Sequence, residues 1–369
     1  MLFVLDMKTD RMNRNRKMSL LNFSDLIFNT HSPSILDKLT MITLLPVLFS
    51  CVKTDDIGSW NVSPKSREYE TDVCFTKGET GLKTLDLFTF EAGPLAHLDA
   101  YMRTDRWDGE AVKMMSGQGE KILFACANGQ CDRYDWAAIS SVSSLDGIHA
   151  DLEKERRHEL LMTASGRTMA GSGKPCCLEL RPLTCEVRLR SIRCDFTGRP
   201  YQGERLKDVS VYLTNVNAQC SITADGMTMP TRIVNHGGLS EEDMDAFREP
   251  GLLYRKIDED IGDIAARPDI SLLCYPNASE EESPGSPFTR LVIEGTVEGE
   301  TYWWPVDINR SRDGSGTEEG LYRNCSYVYD IVIRRKGSDD PDTALKIEDI
   351  EIEMKVLPWK EKDGYSVGF

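Results

Sequence analysis

From Tyr69 onward, apolar and polar residues alternate in short runs, and the long amphipathic helices that a βαβ unit requires do not separate them. Tyr69, Thr71, Val73 and Phe75 alternate with Glu70, Asp72, Cys74 and Thr76, while Leu85, Leu87 and the 88–90 stretch give a second strand and 121–127 a buried third. Successive side chains of a strand point to opposite faces, so this period of two describes strands with one buried side. Cys185, Val187 and Leu189 repeat it. The phase then slips to Ile192, Cys194 and Phe196, which predicts a β-bulge at Ser191. Val209 to Leu213, Leu291 with Ile293, Tyr302 to Ile308 and Tyr327 to Ile333 follow the same rule. A single helical island is expected at about Ser144 to Glu155, from Leu145, Ile148, His149 and Leu152 at spacings of three and four, and Ser240 is placed to cap a short acidic helix. Alternating strands of this kind predict an all-β chain built from antiparallel sheets packed face to face.

Length and charge narrow the function. The 369 residues, 40% of them hydrophobic, suffice for two domains with real cores. The formal net charge of −16 repels phosphates, and the only dense basic run, Arg11 to Lys17, lies near the N-terminus, so nucleic acid is excluded as a partner. The apolar run Leu39 to Ser50 follows Lys38 and ends Leu48-Phe49-Ser50-Cys51, the form of a lipobox: too short to span a bilayer, suited to a secretory signal, with Cys51 as the lipidated residue. Residues 1 to 37 do not have the make-up of a signal's charged start, which points to translation beginning further in, near Leu36. Cys74, Cys194 and Cys220 fall in strand-like runs and read as small buried hydrophobes, whereas Cys126 with Cys131, and adjacent Cys176 and Cys177, are free to bond.

Enzymatic signatures fail one by one. Gly171-Ser-Gly-Lys-Pro175 has Thr168 where a phosphate loop needs Gly, and Pro175 where it needs Ser or Thr. The five histidines show no metal-ligand spacing, the acidic runs at 241–245 and 258–263 lack a calcium-loop pattern, and there is no nucleophile elbow. No enzyme, cofactor or metal is expected. Trp303 and Trp304 are adjacent on one strand, so one is core and the other is a candidate sugar-stacking ring.

Four segments stand in order behind the lipobox: Glu120-Lys-Ile-Leu-Phe-Ala-Cys-Ala-Asn128-Gly, Leu160-Leu-Met-Thr-Ala164, Gly299-Glu-Thr-Tyr-Trp-Trp-Pro-Val306, and Tyr322-Arg-Asn-Cys-Ser-Tyr327 with the alternating strand that ends in Trp359. In these the chain resembles the fimbrillin family, the FimA-type major and accessory fimbrial subunits of Bacteroidetes, from Cys51 through most of its length. The resemblance implies two tandem transthyretin-like β-sandwich domains, at 52–182 and 183–369, behind a leader at 1–51. It further implies export as a lipoprotein to the cell outer membrane and assembly into a surface fimbrium with other subunits. In the family, a protease cuts after the first strand, the strand leaves, and a terminal strand of another subunit fills the groove. Carried over, the displaced strand is Tyr69, Thr71, Val73 and Phe75, the cut falls at Lys77, and the donor strand is Ile350, Ile352, Met354 and Val356. Lys77 departs from the family pattern, whose best-known members have Arg in that loop. Burying four such donor side chains contributes ~6–12 kcal/mol gross. The same periodicity equally describes two edge strands that stay in their own domains. A non-polymerising tip or anchor fimbrillin and a surface glycan-binding lipoprotein are the alternatives.

Overall fold

The computed structural model describes residues 68–76, 81–130, 134–280, 282–310, 319–343, 345 and 350–359. Contacts divide the chain into residues 1–62, all outside the described set, and residues 63–369, which carry every described element.

Two pairs of facing sheets succeed one another along the chain. In the first pair, β1 (Tyr69–Thr76), β2 (Leu85–Glu91), β3 (Leu98–Thr104), β4 (Val112–Ser116), β5 (Gly119–Ala127), β6 (His149–Asp151), β7 (Met162–Ala170), β8 (Cys176–Glu179) and β9 (Arg181–Pro182) follow in order. Except for β6, they form a three-stranded sheet, β4-β1-β8, and a five-stranded sheet, β3-β2-β5-β7-β9. Their inner faces share one core that includes Val73, Met114 and Leu178 from the smaller sheet and Leu87, Leu123 and Met162 from the larger. The faces meet so closely at Gly166 of β7 that an added Cβ would lie 2.6 Å from Leu178.

The second half continues with β10 (Cys185–Cys194), β11 (Lys207–Thr214), β12 (Val216–Asn217), β13 (Gln219–Ser221), β14 (Ile233–Val234), β15 (Tyr254–Lys256), β16 (Ile270–Cys274), β17 (Arg290–Val297), β18 (Glu300–Asp307), β19 (Cys325–Ile333) and β20 (Ile350–Pro358). Its main sheets are β16-β10-β19-β20 and β15-β11-β17-β18. Val187, Ile192, Tyr327 and Tyr329 from the first meet Val211, Ile293 and Trp304 from the second. The β17–β18 hairpin turns on Glu298 and Gly299, both at positive φ, the backbone that a two-residue turn between right-twisted strands demands. The larger core also takes in Phe88, Phe124 and Leu145 from the first half, so apolar packing is continuous across the two sandwiches.

All-β architecture is as expected, with three refinements. The smaller sheet of the first half and the β10 sheet of the second each contain one parallel pair, β1 with β8 and β10 with β19, where only antiparallel pairing was expected. Alternation reports which face is buried and is blind to strand direction. The register shift in β10 falls between Leu189 and Ser191, at Arg190, which lets Leu189 and Ile192 both point inward. The expected helical island is a single turn, α1 (Val142–Leu145); past Asp146 and Gly147 the chain becomes β6, paired with β13. There the i,i+3/i+4 spacing places Leu145 and Leu152 in the core through a turn and a strand instead of a helix. The acidic helix α2 (Glu241–Asp245) has Ser240 as its cap, the hydroxyl accepting from the Asp243 N–H at 3.2 Å.

Candidate functional site

β1 is the middle strand of its sheet. It pairs antiparallel with β4 from Tyr69↔Ser116 to Val73↔Val112, and parallel with β8 from Val73↔Cys176 to Thr76↔Glu179. Of the four residues assigned to the displaced strand, Val73 is fully buried and Thr71 nearly so, while Phe75 and Tyr69 are half-buried. Phe75 packs edge-on against Trp107, with ring centroids 4.7 Å apart. The Tyr69 ring lies against the turn between β7 and β8. Gly171 there has φ +87°, and an added Cβ would sit 2.8 Å from the ring, so no other residue fits without displacing it. Beneath β1 lie Leu85, Leu123, Met162 and Leu180, all buried. Taking β1 away uncovers that apolar floor and two rows of backbone donors and acceptors.

Sequence reasoning missed one feature of β1. Cys74, which reads in the sequence as a small buried hydrophobe, is instead joined to Cys177 of β8 by a disulfide. Cys74 and Cys177 are direct partners in the parallel register. Both alternate with inward-facing neighbours, Val73 and Phe75 on one strand, Cys176 and Leu178 on the other. The bond therefore lies on the outer face of the sheet, where Cys74 is half-buried and Cys177 exposed. The adjacent cysteines 176 and 177 were the available hint; the register that brings Cys177 beside Cys74 across 103 residues was not legible. Cys194 and Cys220 are buried free thiols, raised by burial to about 12 and about 11, and so inert as nucleophiles.

β20 occupies the edge of its own sheet and pairs with β19 over nine residues, from Cys325↔Pro358 to Ile333↔Ile350. Its outer side has no strand partner among the described residues. Burial declines along it: Ile350 is 3% exposed, Ile352 and Met354 are half-buried against the core, and Val356 and Leu357 are 46% and 48% exposed. The Tyr329 hydroxyl donates to the Met354 sulfur at 3.1 Å. A surface groove of about 410 Å³ opens beside Val356, Leu357 and Pro358, bounded by Tyr322, Asn324 and Asp225. Among the described residues β20 is thus a long strand with one unpaired edge, and only its first residue is fully buried.

Between the sandwiches sits Arg323, 9% exposed. Its guanidinium donates to the carbonyls of Pro182 and Arg181, the Thr163 hydroxyl and carbonyl, and the Ala224 carbonyl. With carbonyls and a hydroxyl as partners in place of a carboxylate, burial pulls it down to about 10. Glu155, a few residues before β7, is fully buried. It accepts from the Leu161 N–H at 3.0 Å and the Tyr275 hydroxyl at 2.9 Å, and burial pushes its carboxyl up to about 7 against those bonds.

Of the tryptophan pair, Trp304 is the core residue; its indole N–H donates to the Arg335 carbonyl. Trp303 is half-buried, and its N–H donates to Glu294, which also accepts from the Tyr212 hydroxyl, so the ring is tied down within its sheet. Cys51 and Lys77 lie outside the described residues. Among the described residues no group of His, Cys, Asp or Glu is arranged to hold a metal, and no helix is long and apolar enough to cross a membrane.

No protein-family model and no curated protein matches the chain. Solved structures do. A candidate cell adhesion protein from Parabacteroides distasonis ATCC 8503 is 15% identical, with 81% of this chain and 99% of that one covered at a TM-score of 0.60. Another from Bacteroides eggerthii DSM 20697 is 12% identical, with 81% and 98% covered at 0.59. The fimbrilin FimA from Porphyromonas gingivalis W83 is 12% identical, with 80% and 98% covered, also at 0.59. Across almost the full length of each of these proteins, the chain carries the fold of the FimA-type fimbrillins.

Proposed function

We propose that this chain is a structural subunit of a bacterial surface fimbria, working by shape and strand pairing and not by transforming a substrate. The observation that carries the reading is the likeness of fold over nearly the whole of the FimA structure, two successive sandwiches included. Support also comes from the 350–358 strand, long, alternating and unpaired on one edge among the described residues, which suits it to pair with another chain. In this reading the sandwiches formed by 52–182 and 183–369 are the two domains. Export proceeds through lipidation of Cys51 and anchors the chain in the outer membrane. A cut at Lys77 then frees β1, and the 350–356 strand of a neighbouring subunit fills the groove. A donor strand on one end and an acceptor groove on the other make a heterologous contact, which grows as an open filament.

The test is to express the chain with its leader in a fimbriated Bacteroidetes cell, label it with antibody for electron microscopy, and sequence the N-terminus of the surface-extracted protein. Label spaced along filaments, with a mature N-terminus beyond Thr76, supports the reading. Label confined to the cell envelope, on a chain that still begins at Cys51, overturns it.

A further inference from the structure

In the strand-exchange reading, β1 is the element that must leave, and the chain holds it by two covalent tethers. One is the backbone running from Thr76 into β2; the other is the Cys74–Cys177 disulfide to β8. We infer that the disulfide is a redox latch on the groove: a backbone cut between β1 and β2 leaves β1 in place until a dithiol reductant opens the bond.

The geometry gives the latch its strength. β8 stays anchored when β1 goes, although among the described residues β1 is its one strand partner, since it continues through Leu180 into β9, which pairs with β7 of the facing sheet. A cut chain whose disulfide is intact therefore keeps β1 tethered to its own hydrogen-bonding partner at the register Cys74↔Cys177. Such a tether holds β1 at an effective concentration of at least ~1 mM, so a strand arriving at ~10 µM competes at a ~100-fold disadvantage. With both tethers gone, the freed β1 segment dilutes away and the incoming strand takes the slot.

The chemistry is accessible because the bond lies on the outer face of the sheet and Cys177 is exposed. A thiolate of the dithiol attacks Cys177 Sγ, and Cys74 leaves as a thiolate and takes a proton. The second thiol of the reductant then resolves the mixed disulfide and frees Cys177. Two electrons pass from the dithiol, which ends as a disulfide, to the protein, which ends with two thiols. Buried Cys176, its thiol turned inward and raised by burial, takes no part in the exchange. The partner this assigns is a dithiol protein of the export compartment or cell surface, acting before or together with the protease.

The experiment uses the full mature chain with a recognition sequence for a specific protease inserted between Thr76 and Gly81, so that the backbone cut is assured. The covalent link is read by intact mass under denaturing, non-reducing conditions, departure of the β1 fragment from the folded protein by native mass after gel filtration, and groove opening by uptake of a fluorescent synthetic peptide covering β20. The oxidised, cut protein is expected to keep the β1 fragment and to take up little peptide. Dithiothreitol is expected to release the fragment and raise uptake ~100-fold. The cut Cys74→Ser/Cys177→Ser protein, checked for folding by circular dichroism, is expected to take up peptide without reductant. Uptake by the oxidised, cut protein at the rate of the reduced one overturns the latch and leaves strand exchange standing. No uptake in any of the three, with the β1 fragment gone from the reduced protein, overturns strand exchange and the latch with it. Alkylation of both Cys74 and Cys177 in unreduced, denatured protein overturns the latch directly.

Discussion

Replacing Glu155 by glutamine is expected to change the pH dependence of stability in a defined direction. In the folded chain the carboxyl is fully buried, and burial outweighs the Leu161 N–H and the Tyr275 hydroxyl, raising it from an ordinary 4.5 to about 7. A carboxyl raised by folding binds its proton more tightly in the native state than in the unfolded one. Its favourable contribution is complete below about 4.5 and is lost as pH rises through about 7. The gap corresponds to about 3 kcal/mol. Glutamine is neutral at every pH. Its carbonyl can accept from Leu161 and its amide can donate to the Tyr275 oxygen, so the contacts survive while the titration does not. Urea unfolding of both proteins at intervals from pH 4.5 to 8.5 isolates the effect, because every other group titrates in both. Stability of the variant relative to wild type is expected to climb by about 3 kcal/mol across that window. A difference between the two that stays flat with pH would refute the reasoning.

Arg323→Met is expected to destabilise by about 3–5 kcal/mol in urea unfolding, because buried carbonyls of Arg181, Pro182 and Ala224 lose their donor; a loss under about 1 kcal/mol would mean water satisfies them. Gly171→Ala is expected to cost about 1–3 kcal/mol and to raise hydrogen exchange first in Tyr69 to Thr71, since the new methyl meets the Tyr69 ring at a positive-φ position. Cys74→Ser with Cys177→Ser is expected to lower stability by about 2–5 kcal/mol, the bond closing a loop of 103 residues; an unchanged melting temperature would contradict it.

The strands were legible wherever one face is buried and the other wet. β1, β10 and β20 have the alternation that marks them, and Ser240 announced its helix because a hydroxyl before an acidic turn has few other uses. What lay beyond reach depends on register between distant segments. That β1 pairs with β8 in parallel follows from how the whole sheet closes, and the Cys74–Cys177 bond follows from that pairing. Residues 148 to 152 misled because helical spacing and a turn leading into a strand can place the same side chains inward; the backbone bonds from β6 to β13 decided it. Arg323 stood out only as part of the Tyr322 to Tyr327 segment, which says nothing of what its guanidinium touches. A lone cation in Tyr322-Arg-Asn looks solvated until the carbonyls of β7, β9 and the 224 loop are seen to converge on it.

In the proposed filament, a pull along the chain crosses the joint where Arg323 sits, between the two sandwiches. Its partners at 163, 181–182 and 224 belong to segments far apart in sequence yet meet one rigid planar group. The bonds to Thr163, Arg181 and Pro182 cross from one half to the other, while the bond to Ala224 holds the guanidinium within its own half, so force drawing the halves apart loads the crossing bonds side by side, as rivets in one plate, and not in succession like a zipper. Such a joint stays stiff up to a threshold and then fails abruptly.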